Sequence, residues 1–189
     1  MGQMGFSFNM NKCTGCKSCV IACKEVKNLE VGVNYRKVHH YEGGTFPQVW
    51  TASLSIACNH CAQPSCLTAC PVAAITKDGE TGLVVQDQRM CIVCERCVRA
   101  CPYGEPAYVA SLLSVGKCDG CIEYIKQGSD PVCVAACSTR TLRFGELEEL
   151  RKSYGSLALT SDLPVLADSS QTTPSLLIVA RPEMLNSAK

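Results

Sequence analysis

The chain has 189 residues, room for one domain or two small ones, and its 18 basic side chains nearly cancel 17 acidic ones for a formal net charge of +1. No basic field argues for nucleic acid, and aromatic residues at 6 % are thin for a conventional core. The outlier is cysteine, with 16 copies, so thiol chemistry has to explain the fold as well as the activity.

The first residues, MGQMGFSFNMNKC, lack a basic n-region, an apolar h-region and a small-residue cleavage site. This predicts a chain made in the cytoplasm without a secretory signal of its own. A reducing compartment has little use for so many thiols as disulfides. FSFN, a β-rich run, leads into the first thiol group: Cys13, Cys16, Cys19 and Cys23 in CTGCKSCVIAC. Residues 35–57 predict two β-rich runs around a turn at Gly43-Gly44. The second group is Cys58, Cys61, Cys66 and Cys70, in CNHCAQPSCLTACP. After it, CPVAAITKDG predicts a short helical turn, an apolar residue and a glycine stop, and KDGETG then turns the chain into the strand LVVQ. The third group follows, Cys91, Cys94, Cys97 and Cys101 in CIVCERCVRACP, and the fourth is Cys118, Cys121, Cys133 and Cys137. CSTRTLRFG after Cys137 predicts the same helical turn as its counterpart. ELEELRKSYG predicts a short helix with an acidic first turn, Leu147, Leu150 and Tyr154 on one face and Gly155 as stop. The tail from Ser156 reads as loop, then a short strand at 175–180. Its apolar run SLLIVA is strand-sized, so no membrane span is expected.

All sixteen cysteines fall into these four groups, each opening C-x-x-C and closing with three residues between its last two thiols. This is an internal repeat of a metal-binding unit. Structural zinc takes four tetrahedral ligands, usually from two separated knuckles. The first and third groups instead read C-x-x-C-x-x-C-x-x-x-C, the spacing that wraps three thiolates around one cubane while the fourth ligates a neighbouring cluster. Pro71 and Pro102 follow the closing cysteines, as in bacterial ferredoxins, whereas Lys24 and Ser138 stand there in the other two groups. Four [4Fe-4S] clusters are therefore expected.

The compact segment between the second and third groups predicts that they exchange closing ligands. One cluster would take Cys58, Cys61, Cys66 and Cys101, its neighbour Cys70, Cys91, Cys94 and Cys97. The first and fourth groups would nest around them, giving Cys13, Cys16, Cys19 with Cys137, and Cys23 with Cys118, Cys121, Cys133. The rival pairing, first with second and third with fourth, has to work through unlike connectors of 34 and 16 residues. Each oxidised cluster with its thiolates carries about −2, so four bring the loaded protein near −7. Lys12, Lys17, Lys24, Arg89, Arg96 and Arg99 flank the first and third groups, where they either raise cluster potentials or simply solvate loops.

CTGCKSCVIACKE, YEGG, IACNHCAQPSCLTACP, CPYGEPAY, KCDGC and FGELEELR resemble the iron–sulfur subunit of the dimethyl sulfoxide reductase family of molybdopterin oxidoreductases. The resemblance covers most of the chain. It implies an α+β fold of two bacterial-ferredoxin-like modules, each holding two [4Fe-4S] clusters, the inner nested within the outer. Residues 1–34 and 103–150 would form the outer module, 35–102 the inner one with a β-rich lead-in, and 151–189 a C-terminal loop and short strand. It further implies a catalytic partner carrying a molybdopterin (bis-pterin guanine dinucleotide) cofactor and, as the other partner, a quinone-linked membrane subunit or a soluble donor, so the chain would be cytoplasmic or membrane-associated through its partners. The Cys13 cluster would face the catalytic subunit and the Cys94 cluster the quinone side. Related nitrate reductase subunits carry tryptophan where this chain has Cys94, so Cys94 implies a full cubane.

No nucleophile–base set, phosphate-cradling loop or paired carboxylates stands out, which reads as a non-catalytic electron-transfer subunit. Connectors of hydrogenase or formate dehydrogenase complexes share the pattern, and a zinc scaffold is the reading from another class. His39, His40 and His60 are expected to be solvated or hydrogen-bonded, His60 with a tuning role as the alternative. Trp50, Tyr103 and Tyr108 are expected in the core, with an interface as the alternative.

Overall fold

The computed structural model describes residues 2–185. Met4–Asn9 forms β1, buried along most of its length because it is the middle strand of a three-stranded sheet. Asn9 ends it: its side chain accepts from the Asn11 amide at 3.0 Å and caps one 3-10 turn, Met10–Lys12, which delivers Cys13. Helix α1 (Ser18–Val26) carries Cys19 and Cys23. Next come β2 (Arg36–Thr45) and β3 (Gln48–Ala57), an antiparallel hairpin exposed at its tip and buried at its base.

The reversal of this hairpin is not at Gly43-Gly44. It falls at Phe46-Pro47, joined by a cis peptide bond, with Thr45 paired to Gln48. The glycines lie within β2, and a Cβ on Gly43 would stand 2.6 Å from the Trp50 ring on the facing strand. Gly43 thus makes room for an indole, a use that looks identical to a turn signal in sequence.

The second group sits around α2 (Ser65–Thr68) and is followed by the hairpin of β4 (Ile75–Lys77) and β5 (Val84–Gln86). Asp87 then repeats the role of Asn9, accepting from the Arg89 amide at 3.0 Å and capping a 3-10 turn that delivers Cys91. Helix α3 (Arg96–Ala100) carries Cys97. A hairpin of β6 (Ala107–Val109) and β7 (Ser114–Gly116) leads to α4 (Ile122–Lys126) and α5 (Val132–Ala135). The chain closes through β8 (Leu142–Glu146), α6 (Leu147–Ser153), β9 (Leu176–Val179) and α7 (Pro182–Leu185). The segments after Cys70 and Cys137, predicted as helical turns, become β4 and β8. The helices precede the closing cysteines instead, and the β-branched Ile75 and Thr76 suit the pleat better than a helix.

β1 pairs antiparallel with β8, from Met4↔Glu146 to Phe8↔Leu142, and parallel with β9. The predicted tail strand is therefore a sheet strand. Tail residues also grip the second thiol group, since Thr173 and Thr172 carbonyls accept from the Ala62 and Gln63 amides and Ser175 donates to the Asn59 carbonyl. The main core joins Phe6, Phe8, Leu54, Leu142, Ile178 and Met184. Fully burying each such side chain contributes roughly 1.5–3 kcal/mol. Two smaller clusters are partly built of thiols, Cys23, Cys58 and Cys118 in one, Cys66 and Cys97 in the other. Cysteine supplies core volume here, which is how a chain so poor in aromatics closes.

Candidate metal centres

All sixteen thiols are free. The structure gathers them into sets of four that mix the groups. Cys13, Cys16 and Cys19 line a recess of about 330 Å³ together with Cys137. Cys58, Cys61 and Cys66 line one of about 350 Å³ with Cys101. Cys70 joins Cys91, Cys94 and Cys97 around one of about 310 Å³. The remaining four, Cys23, Cys118, Cys121 and Cys133, are all buried; Cys23 and Cys118 share one buried cluster, and α1, which carries Cys23, packs on α5, which carries Cys133. In each set, one thiol comes from a group other than that of the remaining three.

A shared local device shapes all four. The residue before the second cysteine of every C-x-x-C has positive φ: Gly15 (68°), His60 (45°), Val93 (57°) and Gly120 (72°). This left-handed kink turns the backbone amide inward, and Gly15 N and Gly120 N each stand 3.4 Å from the preceding thiol sulfur, of Cys13 and Cys118. Glycine adopts the kink freely, whereas a β-branched valine bears strain of roughly 1–3 kcal/mol. Strain kept at the same place in a repeated unit marks a site rather than a packing accident. Ala74 N adds another amide, 3.3 Å from Cys70 Sγ.

Burial governs the thiols electrostatically. It pushes Cys23 and Cys66 up to about 12 and Cys61 up to about 11, and Cys118 well above the ordinary value. Exposed Cys16 goes the other way, to about 7, chiefly through the Ser18 hydroxyl. Buried thiols of this kind ionise only when a cation arrives, so loading iron expels protons. The thiols stand around a recess instead of meeting at a point. That donor set, four thiols spread around each recess, fits an inorganic cluster.

The cations flanking the first and third groups stay outside. Lys12, Lys17, Arg89, Arg96 and Arg99 are exposed; Arg89 pairs with Asp87 at 2.8 Å, and Arg99 donates to the Cys94 carbonyl at 3.2 Å. Lys24 tethers the loop after α1 through the Glu30 and Val33 carbonyls. The cations among the thiols are Arg36 and Lys117, 2 % and 5 % exposed, and neither belongs to the flanking charges. Lys117 was findable, since it adjoins Cys118; nothing in YRKVHH marks Arg36. His60 is fully buried and not solvated. Its Nδ1 accepts from the Val84 amide at 3.1 Å, which leaves the proton on Nε2, 3.8 Å from Cys118 Sγ. Its sulfur contact thus belongs to the fourth group, not its own. His39 and His40 are exposed, His40 within 3.0 Å of Ser53 Oγ. Trp50 packs half-buried against the main core, Tyr103 shares a hydrogen bond with Thr172, and Tyr108 is exposed.

The 4Fe-4S dicluster domain family matches residues 49–147. The B-type chain of anaerobic dimethyl sulfoxide reductase from Haemophilus influenzae is 40 % identical over 187 residues, 94 % of this chain and 89 % of the relative. Its Escherichia coli counterpart is 43 % identical, covering 86 % of this chain and 82 % of the relative. This protein belongs to the iron–sulfur subunit family of anaerobic dimethyl sulfoxide reductases. The B-type subunit of a sulfite dehydrogenase from Allochromatium vinosum is a more distant relative, 31 % identical over 79 % of this chain and 71 % of its own length. Like other members of the family, the chain is an iron–sulfur electron-transfer subunit of an oxidoreductase complex, and its thiols serve [4Fe-4S] clusters. No helix among the described residues is long and apolar enough to cross a membrane.

Proposed function

We propose that the chain holds four [4Fe-4S] clusters in a row and relays electrons between a molybdopterin catalytic subunit and a quinol-linked membrane subunit, with no substrate chemistry of its own. The observation that carries this reading is the exchange of closing thiols, Cys137 with the first group, Cys101 with the second and Cys70 with the third. Cys23 completes the fourth. When bound, each cluster takes up and releases one electron.

Two nested modules follow from the same exchange. In the inner module, 35–102, β4 after Cys70 pairs with β5 before Cys91, and α2 packs on α3. In the outer module, 1–34 with 103–150, β8 after Cys137 pairs with β1 before Cys13, and α5 packs on α1. The outer module is thus a circular permutation of the inner. Its halves are tied by Lys27 to Asp119 at 2.7 Å and by Glu30, which accepts from the Ala110 and Ser111 amides. Residues 151–189 supply β9 and the Thr172–Ser175 grip.

Exposure supports the order of the row. Cys16 of the first set is exposed, and Ile92 beside Cys91 is 59 % exposed, whereas the Cys23 set is wholly buried and its Cys118 shares a buried cluster with Cys58. Both ends reach the surface and the middle is insulated. By likeness to relatives at 40–44 % identity against 31 %, the catalytic partner is of the dimethyl sulfoxide reductase kind rather than a sulfite dehydrogenase. The test is stoichiometric: anaerobically purified protein should hold about sixteen iron and sixteen acid-labile sulfide per chain. About four zinc without sulfide would overturn the reading.

A further inference from the structure

The two buried cations occupy different junctions between thiol sets. Arg36 opens β2, beside Ala57 on β3. Its Nη1 donates to Ser55 Oγ at 3.2 Å, and that hydroxyl stands 3.4 Å from Cys19 Sγ. Its guanidinium carbon lies 4.7 Å from the Phe6 ring centre. No carboxylate forms an ion pair with it among the described residues, and its Nε and Nη2 have no hydrogen-bond partner in the protein. A guanidinium left so in the interior is expensive unless negative charge faces it. The chain neighbour of Arg36, Tyr35, and its cross-strand partner Ala57 lie in the buried cluster that holds Cys23 and Cys118, and the Cys133, Cys118, Cys19 and Cys23 sulfurs raise the Arg36 pKa against burial. These belong to the Cys13 set and the Cys23 set.

Lys117 is held the same way one junction further on. Its Nζ donates to the Val84 carbonyl and, at 2.8 Å, to the Cys118 carbonyl, and lies 3.7 Å from Cys58 Sγ. It therefore stands between the Cys23 set and the Cys58 set. Glu105, the remaining buried charge, is 3.7 Å from Lys37; burial raises its pKa, and the Lys37, Arg36 and Lys117 charges act against that rise without forming an ion pair between it and Arg36 or Lys117. No fully buried cation stands at the Cys70 set among the described residues.

We propose that Arg36 and Lys117 are fixed interior counter-charges, each raising the reduction potential of the two clusters it stands between. The inference rests on the four-cluster reading. An added electron makes a cluster more negative, and a positive charge in a dry interior stabilises that form more than water would. Arginine keeps its proton throughout, so its charge does not vary with the electron's passage. Arg36 then favours the Cys13 and Cys23 clusters, Lys117 the Cys23 and Cys58 clusters, and the Cys70 cluster receives neither. The free guanidinium donors also have an assigned use, as hydrogen bonds to cluster or thiolate sulfur.

The experiment is an anaerobic redox titration of the holoprotein followed by electron paramagnetic resonance, on the parent, Arg36→Gln, Arg36→Lys and Lys117→Gln. Each Gln variant should lower two of four midpoint potentials; one centre should fall in both variants and one in neither. Arg36→Lys should return the Arg36 pair towards the parent values. Four intact centres with unmoved potentials, or all four moved together, would overturn the proposal. If Arg36→Gln fails to load iron, Lys117→Gln and Arg36→Lys decide alone: two lowered centres in the first and near-parent potentials in the second uphold it, any other pattern ends it. A parent protein without four cubane signals would instead overturn the four-cluster reading, and this inference with it.

Discussion

The stretch 58–101 and the pair of segments 1–26 and 118–146 use the same parts and assemble them differently. Each has a strand ended by an Asx-capped 3-10 turn, then the tightly spaced thiols, then a short helix. In the first, β4 and β5 are joined by six residues, 78–83, so pairing is local. In the second, β1 and β8 are separated by most of the chain, and Asn9 meets Thr141 through its amide at 3.1 Å. Closing so long a loop costs more chain entropy, though the cost grows only logarithmically with length. The remote pairing is accompanied by a large apolar core and a third strand, β9, where the local hairpin has neither. Local connection and core burial substitute for one another.

Removing iron should break both halves and separate them in time. Folding of small metal-dependent domains is coupled to metal, and here the cores are partly thiol. Chelated protein should lose its cooperative thermal transition in calorimetry. During chelation, amide protection should vanish at Val84–Gln86, whose small core is partly thiol, before Met4–Asn9, which keeps its apolar core. A sharp transition with native-like circular dichroism in the iron-free chain would contradict this.

Among substitutions, Phe8→Ala should cost most. Phe8 is 1 % exposed in the main core, and such a truncation costs about 3–5 kcal/mol. Val84→Ala removes two buried methyl groups' worth of surface from the inner hairpin, roughly 2 kcal/mol. Anaerobic thermal unfolding of the two loaded variants checks the order, and a larger loss for Val84→Ala would reverse the comparison.

Cys94→Ser acts on one set only. Iron should fall by about one per chain and one centre should change its magnetic signature, the other three keeping theirs. Four unchanged cubanes would refute Cys94 as a ligand. The smallest effects belong to the two caps. Asn9→Ala should cost about 1 kcal/mol, as helix-cap losses do. Asp87→Ala should cost less, because Asp87 is more exposed and its turn can be capped by water. Equal losses in the same unfolding measurement would show that the core around Asn9 adds nothing to its cap.

The thiol spacing alone announced the cofactor, because ligand geometry is local: C-x-x-C and C-x-x-x-C fix how far apart sulfurs stand before any tertiary contact forms. Helix α6, strand β9 and the strands into Cys13 and Cys91 were legible for the same reason, each carried by near-neighbour pattern. The sequence misled where a residue type has two uses. Gly43 reads as a turn but serves the Trp50 ring, and AAIT reads as helix but lies beside β5. Only the tertiary structure decided what sits between the thiol sets. Arg36 is 17 residues after Cys19 and 82 before Cys118, and no periodicity could place it against both. Interior charge is set by which distant segments share a low-dielectric space, and sequence separation carries no record of that.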